Sequence, residues 1–279
     1  MDSFDGFPPE KKAKYILEIA KPIINKDPGY EQTSKAFSDY AEEALRETFA
    51  FYAQLFPKLE ADILLVINPF FMNGGMGDVQ TLPEGQRAGR LEIGTSVISN
   101  NPVTGRHGVQ VWIAHEMTHV VHLLLGAKDA LDDLDSPEAM KGLSKYYFGL
   151  YTEGLATYTS SLIAKLNHDE NLELLYFSDA YSSGPIYEKG FVPSLAKKFL
   201  DTVEDKDPVD KEFHGQWFGS KTPPEERPVP QYPFLGYFLG AHGIKTLIDE
   251  GTPLEDLFKQ SLYDMLKDMK RAVNILAKV

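Results

Sequence analysis

Cysteine is missing from all 279 residues, which removes disulfides, thiolate metal sites and cysteine nucleophiles together. Its absence does not choose a compartment, because cysteine-free chains occur on both sides of a membrane. Positive charge is also short. Against 41 Asp and Glu stand only 28 Lys and Arg, and the net charge of -13 would repel the phosphates of nucleic acid and of anionic membranes. No nucleic-acid partner is expected. The amino terminus, Met1-Asp2-Ser3-Phe4-Asp5-Gly6-Phe7, is acidic and lacks the apolar core of a signal peptide or membrane span. The expectation is a cytoplasmic protein without a membrane span, unless a leader has been removed. Repeats and low-complexity tracts are absent too. Gly74, Gly75 and Gly77 lack the Lys-Ser/Thr sequel of a phosphate loop and read as turn chemistry.

What the chain does have is 43% hydrophobic residues, enough to bury a sizeable core. It reads as one unit over 1–279, or as two closely joined lobes, 1–126 and 127–279. Helices are expected from Pro9 to Asn25 and from Tyr30 to Phe56, the second stopped by Pro57. A β-rich run covers 61–68, and alternation at Leu91, Ile93, Thr95 and Val97 predicts a strand over 90–99. Further helices are expected near 193–204, 233–249 and 253–277. Strands therefore precede helices instead of alternating with them, which predicts a mostly helical α+β fold with a small mixed sheet. Between Asp207 and Pro233 six prolines interrupt any periodicity, and Trp217 sits among them. That stretch is either a cleft lid or a surface connection anchored by Trp217.

Histidine is rare, at seven residues, yet two of them form His115-Glu116-Met117-Thr118-His119, a HExxH motif. Composition alone gives such a motif a chance of about one in a hundred. Four residues apart on a helix, His115 and His119 share one face about 6 Å apart along the axis. Glu116 lies about 100° around from His115, where its carboxylate edges the same cleft as a base without competing for a metal. The flanks Val109 to Ala114 and Val120 to Leu125 are apolar almost all round, so this helix should be buried, and Gly126 should end it. The small sheet should pack against it.

Zinc in an open site needs a third protein ligand. His122 shares the helical face but lies about 10.5 Å along the helix from His115, too far to join both histidines on one ion. It belongs to the core or to the surroundings of the site. The better candidate is Glu153, in Tyr151-Thr152-Glu153-Gly154-Leu155-Ala156-Thr157-Tyr158, where a carboxylate intrudes into a helix otherwise built for burial.

HExxH followed by a helix carrying Glu-Gly-Leu-Ala-x-Tyr resembles the gluzincin branch of zinc metallopeptidases. The likeness extends in arrangement over residues 90–250, with these two motifs specific. It implies one zinc ion held by His115, His119 and Glu153, with Glu116 as the general base toward a zinc-activated water. Gluzincins also place a Tyr or His donor at the oxyanion on a later helix, which nominates Tyr237 in Pro233-Phe234-Leu235-Gly236-Tyr237-Phe238-Leu239-Gly240. Tyr232, His214 and His242 are its rivals. The Gly-x-Met-Glu-Asn signature of gluzincin aminopeptidases is absent, since 73–78 has no glutamate, so anchoring of a substrate amino terminus is unsupported.

The implied reaction is zinc-dependent hydrolysis of a peptide bond in a peptide or protein substrate. The strand over 90–99 is the expected edge for an extended substrate. The alternatives are a non-catalytic zinc-binding regulatory or peptide-binding protein on the same scaffold, and a helical interaction module without metal. Retention of Glu116 weighs against the first, because a closed structural zinc needs no base.

Overall fold

The computed structural model describes residues 30–60, 62–68, 75–81, 87–94, 105–127, 143–165, 188–203, 211–219 and 222–279, with 133, 134 and 136. The helix expected over 9–25 lies outside them. Helix α1 runs Tyr30–Leu55, and its buried stripe of Phe37, Ala41, Ala44, Thr48 and Tyr52 keeps helical spacing. Three strands follow, β1 Asp62–Asn68, β2 Gly75–Thr81 and β3 Arg87–Gly94, before α2 Gly105–His122, which carries the HExxH motif. The chain is otherwise helical: α3 Tyr146–Ile163, α4 Phe191–Val203, α5 Lys211–Phe218, α6 Leu235–Asp249, α7 Leu254–Leu257 and α8 Leu262–Leu276. This is the mostly helical α+β fold expected from the sequence.

The sheet is mixed, in the order β1-β3-β2, with β1 parallel and β2 antiparallel to β3. β3 is thus the central strand, hydrogen-bonded on both sides, and cannot be the open edge. That corrects the expectation drawn from 90–99, of which 95–99 lie outside the described residues. Among the described residues β2 has a strand on one side only. Gly75 and Gly77 also prove to be strand residues of β2, not a turn, while Gly74 lies outside the described residues.

Odd-numbered β3 residues face α2. Leu91 and Ile93 are fully buried there, and a β carbon on Gly89 would stand 2.4 Å from Val120 Cγ1, so glycine lets the helix settle onto the sheet. On the other side of α2 lies α1. Thr118 gives its hydroxyl proton to the Ala114 carbonyl at 2.8 Å, so Tyr52 must be the donor in the buried 2.6 Å bond between the two hydroxyls. The helix ends through a π-turn over Leu123–Ala127, with Gly126 at φ 133°. A left-handed turn there suits glycine, as its place in the sequence suggests.

α3 and α6 cross at two glycines. A β carbon on Gly240 would lie 2.2 Å from Leu150 O, and one on Gly154 would lie 2.3 Å from the Gly240 carbonyl carbon. Any side chain at either position would force the helices apart. Since Glu153 precedes Gly154 on one helix and Tyr237 lies a turn before Gly240 on the other, this contact sets where both side chains stand. α8 packs on α3 and α6 through Met265, Leu266, Met269, Ala272 and Val273. The single helix expected over 253–277 is broken into α7 and α8, because the Ser261 side chain accepts from the Asp264 N–H and caps a new helix.

The 207–233 stretch is more ordered than its prolines imply. It contains α5 and a 3-10 turn over Pro224–Glu226. Phe213, Trp217 and Phe218 are buried, and ring centroids of Trp217 and Phe199 lie 4.9 Å apart. These contacts match the anchored connection, not a free lid.

Candidate metal centre

Two helices build the site. α2 is buried on nearly every side, which fixes its rotation and turns His115 and His119 toward α3. Their Nε2 atoms lie 3.2 Å apart. From α3, Glu153 Oε2 stands 3.3 Å from His115 Nε2 and 3.4 Å from His119 Nε2. Glu153 Oε2 is buried, and this oxygen and the two ring nitrogens converge on one point. All three lie within 4.8 Å of one another, and the group can hold a metal ion.

The spacing tests which ion fits. Donors 3.2 to 3.4 Å apart form the face of a tetrahedron whose centre is about 2 Å from each corner, the distance at which imidazole and carboxylate bind zinc. Calcium and magnesium prefer all-oxygen shells, which two imidazoles do not supply. A tetrahedron with three protein corners leaves its fourth open.

Glu116 stands beside the triangle without being part of it. It is 9% exposed, and burial pushes its carboxyl up, against the opposing pull of His115 and His119. β2 passes close to the motif here, since a β carbon on Gly77 would stand 2.6 Å from the Glu116 carbonyl oxygen. Glu153 moves the other way. Burial alone would raise it, but the two imidazoles, His119 foremost, outweigh burial and hold it well below the usual carboxylate range.

Tyr237 reaches the site from α6. Its ring stacks on His115 with centroids 5.7 Å apart and planes 18° from parallel, and it is flanked by Phe234 and Phe218. Of its rivals, Tyr232 is buried against Phe191 and His242 packs on Phe238. His214, on α5, is within electrostatic reach of Glu153, whose charge opposes the lowering of the histidine by partial burial. Tyr237 is therefore the candidate that touches the ring of His115, while His214 packs on Phe218 within electrostatic reach of Glu153. His122 does not join the cluster. It lies buried between the rings of Tyr151 and Phe258, and burial draws it down to about 3, so it is a neutral core histidine.

Sequence reasoning did not find Gly77. Its signal was a glycine inside a run whose alternate residues, Met76, Asp78 and Gln80, are large or polar, a pattern that favours a strand passing close to something. No helix among the described residues is long and apolar enough to cross a membrane. No protein-family model matches the chain, and no curated protein or solved structure matches it either.

Proposed function

We propose that this chain is a zinc metallopeptidase of gluzincin arrangement, hydrolysing peptide bonds with Glu116 as its general base. The observation that carries the reading is the convergence of His115, His119 and Glu153 from two helices onto one tetrahedral face, with a separate buried carboxylate alongside. A structural zinc would want four protein ligands and no base. Held by these three residues, zinc would act as a Lewis acid that eases ionisation of water and polarises a carbonyl.

The chain's own groups do the rest. Glu116 takes the proton from the attacking water and returns it to the leaving amine. Tyr237, stacked on His115, donates its hydroxyl to the oxygen that gains charge as the carbonyl is attacked. β2 passes directly beside Glu116 and offers an edge along which an extended peptide or protein segment can lie. The cytoplasmic location expected from the sequence is part of this proposal.

The test is cleavage of a degenerate peptide library by the purified chain, with and without a chelator. Cleavage that stops on chelation and returns with stoichiometric zinc is expected. A chain inert on every peptide, yet carrying zinc, would move the reading to a binding protein on the same scaffold. Tyr237→Phe is expected to lower kcat by about tenfold to a thousandfold with KM nearly unchanged, because a hydroxyl serving the developing oxyanion acts on the transition state. Unchanged kcat would pass the role to His214.

A further inference from the structure

We propose that Phe234 is a positioning residue, held in a strained backbone so that its ring fixes the pose of Tyr237 against His115; the inference rests on the oxyanion role given to Tyr237 above. The strain comes first. Among the described residues two non-glycines have positive φ, Lys165 at 56° and Phe234 at 59°. Lys165 is exposed and lies just beyond the C-terminal end of α3, where a left-handed residue is a common way to stop a helix. Phe234 instead stands immediately before α6, at φ 59° and ψ 31°, with no side-chain hydrogen bond capping the helix. A residue in that place is ordinarily extended, and a bulky side chain is disfavoured in the left-handed region, where glycine is at ease and asparagine is tolerated.

What the strain achieves is a contact at the site. With Phe234 left-handed, its carbonyl accepts from the N–H groups of Tyr237 and Phe238 at 3.0 and 3.3 Å, so α6 begins at once and Tyr237 stands in its first turn. The rings of Phe234 and Tyr237 meet edge to face, with 5.4 Å between centroids and 75° between planes. His115 stacks on the same tyrosine at 5.7 Å, and Phe218 lies 6.4 Å away. Packing alone accounts for Phe218, a buried ring seated against Gly149 and Gly236: a β carbon on Gly236 would stand 2.3 Å from its Cε1. Phe234 is only half-buried, so removal of its ring from water offsets less of the backbone strain. Strain of this kind collects where it serves a site. A tyrosine that turned about χ1 would carry its hydroxyl away from the developing charge, and a donor that must first find its pose lowers the rate.

Phe234→Gly removes the ring and leaves a residue at ease in the left-handed region, so structural and positioning roles predict different results. For a positioning role kcat should fall by about tenfold, with KM within about twofold and the melting temperature within a few degrees. Phe234→Asn, which also tolerates that backbone, should do the same and stands in if the glycine variant does not fold. In Phe234→Gly combined with Tyr237→Phe, kcat should fall no further than with Tyr237→Phe alone, because one role cannot be lost twice. Wild-type kcat in the folded single variants, or losses that multiply in the double variant, would overturn the proposal. A measurement without turnover reads the pose itself: the three-bond couplings of Tyr237, by NMR on the full chain. Wild type should hold one χ1 rotamer, and Phe234→Gly should populate at least two. A single rotamer in both would overturn the proposal even if the variant is slow. A wild type inert on every peptide, or an unchanged kcat in Tyr237→Phe, would instead sink the reading on which this inference rests, while the couplings still report whether Phe234 holds the ring.

Discussion

His119→Ala should leave the chain folded but strip it of zinc and, with zinc, of hydrolysis. Removing one corner of the triangle leaves His115 and Glu153, and two ligands cannot hold zinc against dialysis where three can. His119 is the corner to remove because its side chain is 18% exposed, whereas His115 is 4% exposed and its loss would open a hole in the core. Zinc should fall from about one per chain to less than about a tenth, by elemental analysis after dialysis. Circular dichroism should show unchanged helix content. If the variant keeps full zinc, His119 is not a ligand.

The parts of this molecule that could be read from its sequence are those written in local spacing. HExxH announced two histidines on one helical face with a glutamate beside them, because a helix repeats every 3.6 residues and nothing distant alters that. α1, α4 and α6 end within a few residues of where prolines, glycines and apolar periodicity place them. Glu153 was legible for a different reason: a carboxylate inside an apolar helix has to find a cation or a buried partner.

What escaped depends on which strand lies beside which. Alternation in 90–99 announces a half-buried strand, but no local pattern says that β3 is central and that β2 closes the sheet on the site side. Gly75 and Gly77 misled for the same reason. A cluster of glycines reads as a turn until the helix lying 2.6 Å from the missing β carbon of Gly77 supplies another reason for that residue's small size. In 207–233 six prolines hid α5, because three aromatic anchors, Phe213, Trp217 and Phe218, outweigh low helix propensity once there is a core to enter. The crossing at Gly154 and Gly240 belongs to this class as well. Neither glycine is needed by its own helix, and only the approach of the other one explains it.

Glu116→Gln separates catalysis from everything else the site does. Glutamine keeps the shape of the side chain, so strand and helix should stay in place. The variant gives up a carboxylate able to take a proton. Zinc content should therefore match wild type, because Glu116 stands outside the three-ligand cluster. Hydrolysis should drop by about 10² to 10⁴, the contribution of a positioned general base. The fall should appear in kcat, with KM little changed, since substrate binding does not use the proton. Stability has to be followed in parallel, because a substitution at a 9% exposed position can unfold a helix and imitate a catalytic loss. Burial already disfavours the charged form of this carboxyl, so the neutral amide should cost the fold little, and the melting temperature should hold within a few degrees. A folded, zinc-loaded variant that cleaves peptides at the wild-type rate would refute Glu116 as the base.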